Sequence, residues 1–426
     1  MQKVDTKPLS GFIELLPEWQ AEFDRIRGEI LAMHHAYGFI SIDTPLIYRR
    51  DLLLAKAGGD TEKQIYELEK GDTKLALRFD QTVPLAIYVA NNSSHLAFPF
   101  KVSQIGRSYR GERAQRGRQR EFYQCDADVI GRGELPVAYD AEIISLFHDI
   151  FTKLKFGDFT IRVSNRRLMT GFLESLNLKE EQLQKTISIV DHAEKITGEE
   201  FRTQLLANGV DEDLIWKLMD FLRLEGTNED ILRNLTVMNI QNEKWQKGLK
   251  ELREIVEILA DRPNVKLDMM IVRGLDYYTG TVFETMLDAH PKIGSIGSGG
   301  RYDNLCDNYS SEKFEGVGAS IGLSRMFGAL SEIGLIEPSK GKLVDVLVIP
   351  VANEQMEAAN KLAMGLRAEG KKVSVLYGEA RFSKKMEQAN RLGAKSVAII
   401  GEHELGNGIY KLKDMETGEE ETERLA

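Results

Sequence analysis

The stretch Ile105–Gly131, IGRSYRGERAQRGRQREFYQCDADVIG, decides how this chain is read. Its middle, residues 107–120, holds six Arg and one Glu, a local charge of +5. With both flanks extended, side chains alternate between two faces. Gly106, Ser108, Arg110 and Glu112 share a face of the first strand, and Phe122, Gln124, Asp126 and Asp128 share a face of the second. Tyr123, Cys125, Ala127 and Val129 take the opposite, core-like face. A solvated hairpin face is one meaning of this pattern. A substrate floor is the other: Arg for phosphate, Phe to stack on a base, Gln and Asp for a cation. Arg suits phosphate because its planar fork matches two oxygens at once.

That basic loop stands in an acidic chain. Over 426 residues, 56 Lys and Arg face 66 Asp and Glu, a net charge of −10. Bulk charge therefore argues against general nucleic-acid binding and leaves only a local basic patch. At roughly 100–200 residues per domain, the length suits two to four domains. No apolar run approaches the roughly 18 residues of a membrane span, and Met1-Gln2-Lys3-Val4-Asp5 does not begin a secretory signal. Two cysteines, Cys125 and Cys306, make neither a disulfide framework nor a cysteine zinc site, and the cytosol is the expected compartment.

The expected elements run outward from this hairpin. A helix begins at Pro17 and stops before Gly38, with Phe23, Ile26, Ile30 and Met33 at helical spacing, and a short strand, 39–43, ends at Thr44-Pro45. Residues 74–90 and 98–131 read as strands and turns, 138–155 as a helix, about 167–260 as a charged helical insertion, 265–300 as strands and 321–333 as a helix. A Gly- and Pro-containing linker, 334–343, closes the first domain, 1–333. Beyond it, 344–426 alternates strand and helix, which implies a small α/β domain with parallel strands.

Three further stretches carry candidate chemistry. In LRFDQTVP (77–84), Asp80 and Thr82 alternate to one side of an extended segment. In VRGLDYYTGT (272–281), Arg273 lies beside a Gly and two Tyr supply flat walls. A glycine-rich region holds Gly294, Gly297, Gly299, Gly300, Gly316, Gly318 and Gly322, then Arg325. It contains neither a Walker A loop nor a dinucleotide fingerprint.

Together, in this order, the stretches resemble histidyl-tRNA synthetase, a class II aminoacyl-tRNA synthetase, over nearly the whole length. Motif 1 resembles the first helix and residues 38–45, motif 2 Tyr109 to Phe122, and motif 3 Gly318 to Arg325. The 77–84 and 273–280 stretches are peculiar to the histidine enzyme. Three positions depart from the family pattern: Tyr48, Gln81 and Ser324.

The resemblance implies an α+β catalytic domain, an antiparallel sheet with flanking helices. It also implies a helical insertion, a C-terminal α/β anticodon-binding domain over 344–426 and a homodimer built around motif 1. It implies L-histidine, ATP, Mg2+ and histidine tRNA as ligands, with histidyl-adenylate as the intermediate. Catalysis falls to Arg110, Arg273 and Arg325. Asp80, Thr82, Arg110, Gln124, Asp128, Arg273, Tyr277 and Tyr278 bind histidine, with Asp128 and Tyr278 facing the imidazole. Arg110, Glu112, Arg118, Phe122 and Arg325 bind ATP, and Arg113, Gln115 and Arg116 meet the tRNA acceptor end. The competing expectation is an idle paralogue, the regulatory subunit of ATP phosphoribosyltransferase, which shares the catalytic fold.

Overall fold

In a computed structural model, the described residues are 4–55, 62–112, 118–193, 196–271, 278–304, 306–339, 343–378 and 380–425. They form two units: residues up to 13 with 26–335, and 14–25 with 336 onward.

The first unit carries eleven strands. In chain order they are β1 (Ile40–Ser41), β2 (Ile47–Arg49), β3 (Glu67–Lys70), β4 (Thr73–Leu77), β5 (Phe100–Tyr109), β6 (Glu121–Arg132), β7 (Phe159–Asn165), β8 (Val265–Leu267), β9 (Thr281–Leu287), β10 (Gly297–Tyr302) and β11 (Phe314–Ile321). Eight of them make one sheet in the order β1-β5-β6-β11-β10-β9-β7-β8. Every internal pairing from β5 to β7 is antiparallel, while the short edges β1 and β8 pair parallel. The expected antiparallel catalytic sheet is therefore present, with two parallel fringes.

Register decides what faces what. Gly106 lies opposite Gln124 and Ser108 opposite Phe122 on the β5–β6 hairpin. On the other side of β6, Asp126 pairs with Ser320 and Asp128 with Gly318. On the polar face of β6, Asp126 and Asp128 are nonetheless buried, at 3% and 4% exposure. The solvated-hairpin alternative fails for that reason. Beneath the sheet, helix Ala138–Leu154 presents Phe147 and Phe151, whose rings occupy the space a side chain on Gly297 would need.

One reading is corrected. Residues 74–90 are not all strands and turns, and Thr82 does not lie on an extended segment. After β4, the chain enters a helix, Thr82–Asn92. Asp80 Oδ1 accepts from Val83 N at 3.1 Å, and Pro84 sits in the first turn. Val83, Leu85, Ala86, Ile87 and Val89 are all buried. A helix covered on most sides has no amphipathic stripe, so its period does not show in the sequence.

The helical segment follows β7. Its helices run from Arg166–Ser175 to Glu243–Ile258. Phe172 stacks on Phe221 at 4.5 Å between ring centroids, with Trp245 beside both.

The second unit holds a five-stranded sheet of β12 (Val344–Pro350), β13 (Val373–Val375), β14 (Ala394–Ile400), β15 (Ile409–Asp414) and β16 (Glu420–Arg424), ordered β13-β12-β14-β15-β16. β12 pairs parallel with β13 and β14, as the alternating pattern implies. β15 and β16 add an antiparallel ribbon, so the sheet is mixed rather than wholly parallel. The charged, exposed residues of β16 hide its strand character: all five side chains face solvent.

Candidate active site

The polar face of β6 opens into a cleft of about 500 Å³. Asp80, Thr82, Arg110, Glu112, Arg118, Phe122, Gln124, Asp128, Tyr278 and Arg325, all sequence-derived candidates, line it. Residues from the 77–84 stretch, the loop after β5, β6, the end of β11 and the segment before β9 therefore meet at one place. Arg273 and Tyr277 lie outside the described residues, as do Arg113, Gln115 and Arg116.

The hairpin end of the cleft is basic and aromatic. The Arg110 guanidinium stands 5.1 Å from the Phe122 ring centroid, and its Nε donates to Phe79 O at 3.1 Å. Arg118 Nη1 and Glu112 Oε2 are paired at 2.9 Å. Arg325 Nη2 donates to Ile293 O at 3.1 Å.

Further along β6 the floor becomes acidic. Phe122 and Asp128 are six residues apart on an extended chain, about 20 Å. Tyr302 OH donates to Asp128 Oδ1 at 2.7 Å, and Gln124 Nε2 donates to Ser320 Oγ at 3.1 Å. The Gln124 amide is thereby oriented, and its Oε1 is buried with no partner among the described residues. Asp80 Oδ2 and Asp126 Oδ1 are likewise buried and unpartnered. Unmatched buried acceptors are costly, and three in one cleft call for a donor-rich ligand. An ammonium has three donors and no acceptor.

Electrostatics agree. Burial pushes Asp80 up to about 6, against the opposing pull of the Val83 N–H and Arg110. Burial also pushes Asp128 up to about 7, opposed by the Tyr302 hydroxyl. Asp126 is raised well above the ordinary range by burial and then by Asp128. A bound cation would relieve all three.

Two residues of this floor escape the motif reading. Asp126 lies between Gln124 and Asp128 on the same face, and the period-2 alternation already points to it. Tyr302 has no such signal, because its bond to Asp128 spans 174 positions in sequence.

The scaffold under the floor explains two departures from the family pattern. Buried Arg78 donates through Nη1 to Thr44 O at 2.7 Å and through Nε to Arg107 O at 2.7 Å. Gln81 Nε2 donates to Gln124 O at 3.1 Å, and Gln104 Nε2 donates to Gln81 O at 3.1 Å. Gln81 thus ties the 77–84 stretch to the hairpin. Ser324 Oγ accepts from Tyr123 N at 2.9 Å and joins motif 3 to the same strand.

The pattern of the family described as "Histidyl-tRNA synthetase" matches residues 11–326, and that described as "Anticodon binding domain" matches 345–426. The chain belongs to the histidyl-tRNA synthetase family. It is similar to the histidine--tRNA ligase of Clostridium tetani, 44% identical over all of this chain and 98% of that protein. The Stenotrophomonas maltophilia histidine--tRNA ligase is 41% identical over 97% of this chain and 94% of its own length. A crystal structure of histidyl-tRNA synthetase from Nostoc sp. superposes with a TM-score of 0.92 at 35% identity, covering 99% of this chain and 97% of that one. A Bacillus halodurans structure titled as an ATP phosphoribosyltransferase regulatory subunit/histidyl-tRNA synthetase has a TM-score of 0.77 at 22% identity, covering 94% of this chain and 99% of that one; at that identity it shows the fold alone. The chain thus has the class II synthetase fold of this family, a catalytic domain followed by an anticodon-binding domain.

Proposed function

We propose that this protein activates L-histidine with ATP and transfers the histidyl group to its tRNA. One observation carries the residue assignments: three buried acceptors with no partner among the described residues share a cleft with Arg110 and Arg325. The attacking carboxylate of the amino acid is already ionised at neutral pH, so the first step needs no general base. It needs alignment and neutralisation of charge developing at phosphorus.

In this reading the histidine ammonium meets Asp80, Thr82, Gln124 and Asp126. The imidazole meets Asp128 and Tyr278, with Tyr277 lining the pocket. Arg110 holds the substrate carboxylate and the α-phosphate, and Arg273 takes the opposite side of that phosphate. Arg325, with Arg118, meets the γ-phosphate. Phe122 stacks on adenine and Glu112 accepts from its amino group. Arg113, Gln115 and Arg116 meet the tRNA acceptor end, and the domain over 344–426 reads single-stranded anticodon bases.

Magnesium is a companion of ATP in this scheme. Among the described residues no three ligating side chains cluster, which suits an ion held by one or two carboxylates and by phosphates. Glu284, which lines the cleft, is the carboxylate we assign to it. We also propose a cytosolic homodimer. Neither cysteine forms a disulfide and both are buried, and no described helix is long and apolar enough to cross a membrane. The short edge strand β1 leaves Ile40 63% exposed, and Leu46 and Ile47, a few residues on, are exposed too, an apolar surface suited to a second copy. The domain boundaries we assign are 1–333, with the insertion at about 167–260, a linker over 334–343, and 344–426.

The test is ATP–pyrophosphate exchange with each of the twenty amino acids. Exchange that depends on histidine alone is expected. Histidine binding with no exchange would favour the regulatory alternative. Replacing Arg273 by Ala is expected to abolish exchange and leave the fold intact.

A further inference from the structure

Buried charge is concentrated at a second place in the first unit, where the helical segment meets the sheet. The Arg167 side chain is only 12% exposed and uses all three nitrogens of its guanidinium. Nη1 donates to Thr279 O at 2.5 Å, and Nη2 donates to Asp303 Oδ2 at 2.7 Å. Nε lies 3.4 Å from Glu251 Oε1 on helix Glu243–Ile258. Glu251 in turn accepts from Asn165 Nδ2 at 2.7 Å, and Asn165 Oδ1 accepts from Arg167 N at 2.9 Å.

The backbone that Arg167 grips begins one residue after Tyr278. It is pinned from two directions. From the helical segment, Arg166 N donates to Gly280 O at 2.8 Å, alongside the Arg167 bond. From the sheet, Thr279 N donates to Arg301 O at 2.8 Å. Arg301 is itself locked by Asp140 at 2.8 Å. Gly280 needs its bare backbone here, since an added Cβ would stand 3.0 Å from Arg301 Cδ. The Tyr278 ring lies against bare Gly300, where an added Cβ would be 2.9 Å from its Cδ1. The position of Tyr278 in the cleft therefore depends on where Thr279 and Gly280 are held.

We propose that Arg167 is a positioning residue for the amino-acid pocket: its fork ties the start of the helical segment to Thr279 and so sets the wall formed by Tyr278. The proposal rests on the reading of Tyr278 as part of the histidine pocket. A planar three-way fork is needed for this job, because only a guanidinium reaches a carbonyl and two carboxylates in fixed directions at once. Lysine retains the charge between Asp303 and Glu251 and loses the directed bond to Thr279.

The full-length chain is assayed by histidine-dependent ATP–pyrophosphate exchange, with KM for histidine and for ATP measured separately and thermal melting alongside. For Arg167→Lys, the histidine KM is expected to rise about tenfold, the ratio for losing one charge-assisted bond. The ATP KM should stay within about twofold and melting near that of the unmodified chain. Folded Arg167→Lys with an unmoved histidine KM, or with both KM values raised together, overturns the proposal. Should Arg167→Lys not fold, Asp303→Asn carries the test. It keeps the shape, weakens the hold on Nη2, and is expected to raise the histidine KM alone. An unmoved histidine KM there overturns the proposal. If the unmodified chain shows no histidine-dependent exchange, the functional reading falls and takes this proposal with it. Exchange in the unmodified chain with unaltered variants overturns this proposal alone.

Discussion

The carboxylate of Asp128 occupies the space that a side chain on Gly318 would fill. The two residues face each other across the β6–β11 ladder, and a Cβ added to Gly318 would land on Asp128 Oδ1. Gly318 thus makes room for the Asp128 carboxylate by carrying no side chain. Gly318→Ala is expected to displace Asp128 at a cost of about 1–3 kcal/mol. The histidine KM should rise at least tenfold, read by pyrophosphate exchange. An unchanged KM in the folded variant would show that Asp128 has room to move.

Asp126→Asn separates pocket chemistry from folding. The carboxylate is buried and close to Asp128, so its charge disfavours the empty fold. Neutralising it is expected to leave the melting temperature equal or higher. Histidine-dependent exchange should fall by about 10- to 100-fold, because an ammonium loses a charged acceptor. Loss of stability together with activity would contradict that role.

Burial holds Asp80 at about 6 and Asp128 at about 7. Both exceed the ordinary carboxylate value of about 4, so the stability these groups contribute is complete below that value and lost as pH rises through 6 to 7. In the proposed reading, histidine binding needs the ionised forms. Its stabilising effect on the melting temperature should therefore grow from pH 5.5 to pH 8. Because imidazole titrates in the same range, Asp80→Asn serves as the control: its pH dependence should be flatter. Identical profiles for the two proteins would exclude Asp80 as an acceptor.

Arg325 and Arg301 are both arginines of the glycine-rich region, with opposite expected consequences. Arg325 lines the cleft, and Arg325→Ala should lower exchange by about 10²–10³ with melting little changed. Arg301 is buried against Asp140 and Glu315. Arg301→Ala removes the charged partner of buried Asp140 and should cost about 3–5 kcal/mol of stability. Thermal melting of the two variants distinguishes them.

Much of this protein is written locally. The alternation over Phe122, Gln124, Asp126 and Asp128 names one face of β6 before any partner strand is known, because successive side chains of an extended chain must point opposite ways. The helix starting at Pro17 and the strand–helix alternation after residue 344 are legible for the same reason: their periods are properties of neighbours in sequence. Where a period is erased, reading fails. The helix Thr82–Asn92 is buried on most sides, and β16 is exposed on all of them.

What no local pattern contains is which polar group ends up enclosed. Arg78 and Arg110 each sit in a motif, yet one is walled in by Thr44 and Arg107 while the other lines the cleft. Asp126 lies beside Ser320 of β11, nearly two hundred residues later, and is buried there. Strand periodicity determined the faces; the placing of distant strands side by side in one sheet decided what water could reach, and with it the charge and chemistry of each side chain.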